Sequence, residues 1–243
     1  MTRASTLRSL SHPNIVPLEA LVTDKDSPNT QYLLMPYYGS GTVDVWWEER
    51  AGATMAERMQ CYKQKSSESL GGFGVVLRGT LRGLEYLHDS GIIHLDIKPG
   101  NIMMKDDQTP VLVDFDVSFN LDEKALTSTR SHLGGTEGFM APERTIGQAP
   151  TYACDIYSLG ATMVELIFSK DAVYQILEEV KFNESRMRHV LRRKLALLPE
   201  TIFGQDPGPQ NGVQQSFCEL RDLVVEMVEE LPGSRPAAGA APR

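Results

Sequence analysis

Apolar residues along the chain recur mostly at helical spacing, interrupted by a few short runs with strand character. Near the amino end, LRSLSHPNIV at residues 7–16 reads as the end of an amphipathic helix broken by His12-Pro13. A strand-like run follows to Val22. Leu7, Leu10 and Ile15 are most simply core contacts. Residues 31–38, QYLLMPYY, form a second strand-like run, and Gly39-Ser40-Gly41 then releases the backbone. Residues 43–69 are less regular. Trp46-Trp47-Glu48-Glu49-Arg50 and residues 55–65 fit one or two helices, with Ser66 to Ser69 as a solvated connector.

Leu77, Leu81, Leu84 and Leu87 then repeat at the spacing of a long helix. Two short apolar runs, 102–104 and 111–113, flank Asp106-Asp107-Gln108 and predict a hairpin. Residues 168–198 and 217–231 predict helices, joined by the turn-rich GQDPGPQNG. After Arg235 the Ala/Pro/Gly composition offers little apolar bulk, which predicts a frayed tail over residues 237–243.

Gly71-Gly72-Phe73-Gly74 invites comparison with a phosphate-binding glycine loop. Such a loop follows one strand and leads into a partner strand or a helix N-terminus beside the phosphates. These glycines instead introduce the leucine-spaced helix, so they read as a connector or a helix start.

Composition narrows the function classes. The 243 residues are 41% hydrophobic and 23% charged, enough for one large core or two small ones. A net charge of −8 gives no general attraction to nucleic acid or anionic lipid. The basic run at residues 186–194 reads as the solvated face of a helix. Cys61, Cys154 and Cys218 are far apart and lack metal-ligand spacing, which fits a reducing compartment. No apolar run approaches the roughly 20 residues of a membrane span, and no apolar signal segment opens the chain. A cytoplasmic or nuclear location is therefore expected.

The densest candidate chemistry is His94-Leu95-Asp96-Ile97-Lys98-Pro99-Gly100-Asn101. A carboxylate such as Asp96 can orient an attacking hydroxyl and take its proton, which phosphoryl transfer requires. Lys98 offers a compact positive charge, and Asn101 offers an oxygen to a divalent cation. His94 reads as a packed or backbone-bonded imidazole. Pro99-Gly100-Asn101 is also ordinary turn chemistry, so the octapeptide by itself leaves a polar turn open.

This stretch resembles the catalytic loop of eukaryotic protein kinases, His-Arg-Asp-x-Lys-Pro-x-Asn. Four further segments match that family in its order. Asp114-Phe115-Asp116 resembles the Asp-Phe-Gly metal motif, and Gly135 to Glu143, GTEGFMAPE, resembles the segment that seats a peptide and ends in Ala-Pro-Glu. Asp155-Ile156-Tyr157-Ser158-Leu159-Gly160 resembles the start of the central helix, and Arg235 stands where the family pairs an arginine with the Ala-Pro-Glu glutamate, here Glu143. Aminoglycoside-type phosphotransferases share a His-x-Asp loop and a metal aspartate, but the Ala-Pro-Glu and Asp-Ile-Tyr-Ser-Leu-Gly segments favour the protein-kinase branch.

The resemblance implies an α+β, protein-kinase-like fold, with a mainly helical large lobe and a truncated β-containing small lobe. Residues 1–38 are the expected small-lobe remnant: the end of its regulatory helix, strands four and five, and the hinge. Residues 39–236 are the expected large lobe. The implied activity is ATP-dependent serine/threonine phosphorylation of a protein substrate, with Mg2+. In the implied site Asp96, Lys98, Asn101 and Thr136 are catalytic, and Asn101 and Asp114 hold the metal. Met35, Pro36, Tyr38, Lys98, Asn101 and Asp114 contact the nucleotide. Asp155 is expected to bond catalytic-loop amides.

The sequence departs from the family pattern in several places. Arg3 stands at the helix-glutamate position, and the glycine-rich strand pair and the strand bearing the phosphate-anchoring lysine are not present in these residues. Asp116 replaces a glycine, adding charge near a metal site. Tyr157 replaces a tryptophan. Leu95 replaces the arginine that grips a phosphorylated activation segment, so phosphorylation at Thr127, Ser128, Thr129 or Ser131 is expected not to switch activity by that route. A catalytically impaired, protein-binding member of the family is the alternative these departures keep open.

Overall fold

The computed structural model describes residues 7–25, 27, 30–64, 66–121, 134–179, 184–203 and 212–240. The α+β organisation expected from the sequence is present, with the strands short and the helices carrying the core. At the amino end, residues 14–16 lie extended against a later hairpin. Leu112 N–H donates to Asn14 O at 2.9 Å, and Val16 N–H donates to Leu112 O at 3.0 Å. Ile15 and Val16 are buried there. Strand β1 (Ala20–Thr23) pairs antiparallel with β2 (Gln31–Leu34), Ala20 opposite Leu34. The expected run to Val22 is thus divided, with Pro17 unable to donate to a ladder between its two paired parts.

Helices α1 (Val43–Ala51), α2 (Met55–Gln64) and α3 (Ser66–Asp89) follow. Ser66 to Ser69, expected as a connector, belong to α3, and the glycine cluster lies inside that helix. Close packing accounts for one of those glycines. A Cβ on Gly72 would sit 2.9 Å from Trp47 Cζ3 and 3.3 Å from Trp46 Cη2. The helix can pass the stacked tryptophans, whose centroids are 5.9 Å apart, only without a side chain at that point. Leu77, Leu81, Leu84 and Leu87 are all buried, as their spacing predicts.

After β3 (Ile92–Ile93) and a 3-10 turn at Pro99–Asn101, β4 (Ile102–Asp106) and β5 (Thr109–Leu112) form the expected hairpin, Ile102 opposite Leu112. Strand β6 (Phe119–Asn120) returns to pair with β3. A single helical turn, α4 (Pro142–Thr145), precedes α5 (Tyr152–Phe168), which is buried along most of its length. Helices α6 (Lys170–Glu179) and α8 (Gly212–Met227) pack against it, and α7 (Glu184–Phe203) packs on α6 and α8.

The irregular stretch after residue 43 has a defined task. A helix ends with carbonyls that have no intrahelical partner. Trp47 Nε1–H donates to Leu166 O at 2.8 Å, and Arg58 donates to Glu165 O at 2.8 Å and Leu166 O at 2.7 Å. Tyr62 Oη–H reaches Ile167 O at 3.3 Å. Three side chains of α1 and α2 therefore close the C-terminus of α5, and Arg58 is only 2% exposed in doing so.

The tail is a correction to the sequence reading. Ala238–Ala240 form a 3-10 turn against α3 with Ala238 buried, so the chain is packed at least to Ala238. Small side chains there permit close approach to the helix, which compensates for their lack of bulk. Among the described residues no helix is long and apolar enough to cross a membrane.

Candidate active site

The carboxylate of Asp96 is the centre of a closed hydrogen-bond set. Its Oδ1 accepts the Thr136 hydroxyl at 2.6 Å, and its Oδ2 accepts Lys98 Nζ and Asn101 Nδ2, each at 2.8 Å. Lys98 Nζ also donates to Thr136 Oγ1 at 2.7 Å. Of the four residues expected to be catalytic, Lys98, Asn101 and Thr136 thus each contact Asp96 directly, although 40 positions separate Asp96 from Thr136. Burial by itself raises the Asp96 carboxyl pKa. The hydrogen bonds and charge of Lys98, with the donations of Thr136 and Asn101, outweigh it and hold the pKa below its ordinary value.

Backbone geometry turns these groups inward. Leu95 has φ +68° and Asp114 has φ +60°, in the left-handed region that costs a non-glycine residue about 1 to 3 kcal/mol. Asp155 holds the first of them. Its Oδ1 accepts Leu95 N–H at 2.8 Å and its Oδ2 accepts His94 N–H at 2.9 Å, the support expected from the sequence. Gly135, at φ +123°, supplies the corresponding freedom before Thr136. A Cβ there would stand 3.1 Å from Leu95 O.

His94 is fully buried, as a packed imidazole should be. Its Nε2–H donates to Val113 O at 3.0 Å, and its Nδ1 accepts Asp96 N–H at 3.3 Å. Both ring nitrogens are matched only in the neutral form, and burial, the dominant influence, lowers the pKa below the ordinary histidine value. Phe115 packs on the same ring at 4.8 Å. Val113 N–H donates to Asn101 O at 3.1 Å, so the segment carrying Asp114 is tied directly to the catalytic loop.

The donor set suits a magnesium–phosphate group. Both amide protons of Asn101 are engaged, by Asp96 O and Asp96 Oδ2, which leaves its carboxamide oxygen as the group to offer a cation. Asp114 is exposed, and its Oδ1 accepts Asp116 N–H at 3.3 Å. A carboxylate and a carboxamide oxygen are hard ligands of the type magnesium prefers. Asp116 does not need the conformational freedom of a glycine here, since it is not among the positive-φ residues.

Met35, Pro36 and Tyr38 connect to this set through the backbone. Residues beyond them return to the strand that follows Asn101: Met104 N–H donates to Gly41 O at 2.9 Å, and Thr42 bridges Met103. Tyr38 is buried, whereas Met35 is 41% exposed. The candidate phosphorylation sites Thr127, Ser128, Thr129 and Ser131, and Arg3, lie outside the described residues.

Two further features complete the setting. Arg235 makes a two-pronged contact with Glu143, at 2.6 Å to Oε1 and 2.8 Å to Oε2, and also donates to the carbonyls of Ala153, Glu229 and Glu230. Burial raises the Glu143 pKa but Arg235 outweighs it, for a net lowering. Next to Thr136, an open cleft is lined by Phe139, Tyr157, Val164, Glu165, Val173 and Leu191. This cleft was not legible in the sequence, because its walls come from five separate segments. His88 was also missed; its Nε2 lies 3.0 Å from Asp155 Oδ2, a pairing 67 positions apart that only the fold creates.

Comparison with known proteins agrees with this geometry. The profile of the protein kinase domain matches residues 2–242. Serine/threonine-protein kinase pakG of Dictyostelium discoideum is 30% identical over 84% of this chain and 16% of its own length. MAP kinase kinase MKK1/SSP32 of Saccharomyces cerevisiae is 32% identical over 67% of this chain and 29% of its own. Mitogen-activated protein kinase kinase kinase 2 of Arabidopsis thaliana is 30% identical over 96% of this chain and 30% of its own. The chain therefore spans less than a third of the length of these three relatives. With the five motif segments folded into one mutually bonded site, and the domain profile matched nearly end to end, this chain belongs to the protein kinase family.

Proposed function

We propose that the chain transfers the ATP γ-phosphate to a serine or threonine hydroxyl of a protein. The observation that carries this reading is the state of Asp96. An ionised carboxylate offers about four lone-pair sites. Thr136, Lys98 and Asn101 take three, which leaves one for an incoming hydroxyl. A carboxylate with a lowered pKa is a weak base, so Asp96 orients the hydroxyl first and takes its proton late, as the new O–P bond forms.

Lys98 is placed to offset charge gathering on the transferred phosphoryl oxygens while remaining bonded to Asp96. Asn101 and Asp114 are the residues that would hold magnesium, which when bound would neutralise phosphate charge. Met35, Pro36 and Tyr38 form the adenine side. Thr136 leads straight into residues 137–139 at the cleft, so a substrate residue next to the acceptor faces Phe139 and Tyr157, and an apolar one fits. The serine/threonine preference rests on Lys98 and Thr136 acting together on the Asp96 carboxylate.

The test is ADP formation with a generic protein acceptor, with Asp96→Ala beside the unchanged chain. Loss of activity by roughly a hundredfold or more supports the assignment, and wild-type turnover in the variant rejects it. A second reading, a protein-binding member that does not turn over ATP, is favoured by the exposure of Met35 on the adenine side. Absence of any magnesium-dependent thermal shift with ATP would select that reading.

A further inference from the structure

We propose that the outward face of α7 is a docking surface for an acidic segment of a partner protein, one whose carboxylates lie in a single line. The inference goes beyond the proposed activity and does not rest on it.

The sequence makes this helix electrically unlike the rest of the chain. Residues 184–203 carry five Lys or Arg against two Glu, a net +3, so the remaining residues together carry −11. The fold sorts those charges by face. Leu191, Leu195 and Leu198 are buried as α7 packs on α6 and α8. On its flank, Arg192 pairs with Glu229, and Arg221 donates to Ala196 O at 3.2 Å, which fixes the roll of the helix. Arg186, His189, Arg193 and Lys194 are exposed. With 3.6 residues per turn and a rise of 1.5 Å per residue, they run along one side for about 12 Å. Arg193 and Lys194 form no ion pair among the described residues. Leu197, one turn beyond Arg193 on the same side, is 47% exposed and adds an apolar contact at the end of the stripe.

Width decides what such a stripe can bind. A membrane surface or a nucleic-acid duplex is broad, and docking it brings the −11 of the surrounding protein to within about a Debye length, roughly 10 Å at 0.1 M salt. That repulsion opposes the attraction of a few cations. The apolar face of α7 is also committed to the core, so the helix cannot embed in lipid as an interfacial helix does. A single polypeptide segment covers only the stripe and escapes the repulsion. Arginine adds a geometric preference, because its planar fork takes a carboxylate two-pronged. The cleft beside Thr136 is walled by Leu191, from the buried side of the same helix, and not by the cations of the stripe. A partner held on the outer face therefore leaves the candidate site open.

Fluorescence polarisation tests this with a labelled alanine–glutamate peptide that carries its glutamates on one helical face, beside a peptide of the same composition with them spread around the helix. We expect the one-faced peptide to bind about fivefold more tightly. Its affinity should fall about tenfold in the double variant Arg193→Glu, Lys194→Glu, which replaces two exposed ion pairs by repulsion, and about threefold in Arg193→Gln, Lys194→Gln. Arg192→Gln, at a residue already committed to Glu229, should change it less than about twofold. Urea unfolding of each variant verifies that it is folded, and the Gln pair keeps the test decisive if the Glu pair does not fold.

No binding of either peptide, equal binding of the two, or undiminished binding to the folded double variants overturns the proposal. So does stripe-dependent binding of duplex DNA, or of vesicles of equal parts phosphatidylserine and phosphatidylcholine, that exceeds the peptide's. None of these readouts needs turnover, so an inactive chain would reject the kinase reading and leave the docking result standing.

Discussion

The catalytic loop and the β1–β2 strand pair are both short, and the rest of the protein supports them in opposite ways. Around Asp96, the lysine, threonine and asparagine side chains are matched to the carboxylate, and buried Asp155 holds the backbone behind it. Along the strand pair, Val22, Tyr32, Leu33, Leu34 and Met35 are all substantially exposed, from 37% to 53%. The groups proposed for phosphoryl transfer are thus preorganised by side chains of this chain, whereas the proposed adenine side rests on strands with little packing of their own. On the proposed function, affinity for nucleotide and competence for transfer would be separable properties, because they would depend on different parts of the fold.

The contrast is most strongly tested at its buried end. Arg235→Ala leaves the Glu143 carboxylate without its partner and should cost roughly 3 to 5 kcal/mol in urea unfolding. A cost near zero would mean that the large-lobe side is less tightly locked than its contacts indicate. Next, Arg58→Met removes the donor to the Glu165 and Leu166 carbonyls. It should cost about 2 to 3 kcal/mol by the same measurement, reflecting the loss of charge-assisted hydrogen bonds to carbonyls that keep their donors from Ser169 and Trp47.

A smaller effect comes from pH. His94 has a folded pKa below its unfolded value, so the unfolded chain binds its proton first. The stability His94 contributes is complete above about pH 6.5 and is lost as pH falls towards the folded pKa, with a slope of at most about 1.4 kcal/mol per unit. A Tm that is flat from pH 7 down to 5 would contradict the neutral, doubly bonded ring. The lowered pKa values of Asp96 and Glu143 add further acid sensitivity, lost only as pH drops below the ordinary carboxyl range.

The smallest effect belongs to the strand pair. Leu34→Lys, at a side chain 51% exposed, should change stability by no more than about 0.5 kcal/mol. A loss above about 1.5 kcal/mol would show that this face is covered in solution, and the contrast between the two regions would disappear.

Much of the site was legible because each group is required by the chemistry and sits within a short motif. Asp96, Lys98 and Asn101 span only a few residues, and the hairpin that carries Asp114 is written in alternating apolar runs and a polar turn. The Glu143–Arg235 and Asp155–amide contacts followed from family resemblance rather than from any local pattern. What stayed hidden depends on distant packing. The solvated connector was misread because Ser66 to Ser69 have weak helical preference, yet they are carried by the long helix that packs below them. Trp47, Arg58 and Tyr62 gave no sign that they cap α5, since their partners are backbone carbonyls more than 100 positions away. His88 was hidden for the same reason. The tail was misjudged because bulk was weighed and close approach was not.

The pairing of Arg235 with Glu143 also has a consequence in time. It joins positions 92 residues apart and recruits a residue very near the end of the described chain. During synthesis at roughly 5 to 20 residues per second, Glu143 exists for some 5 to 18 seconds before its partner has been made. In that interval the carboxylate must stay hydrated, and the segment that follows Thr136 cannot take its final buried seat. Seating of the segment from Thr136 to Glu143 is therefore a late event, governed by the synthesis of Arg235 rather than by the motifs made first.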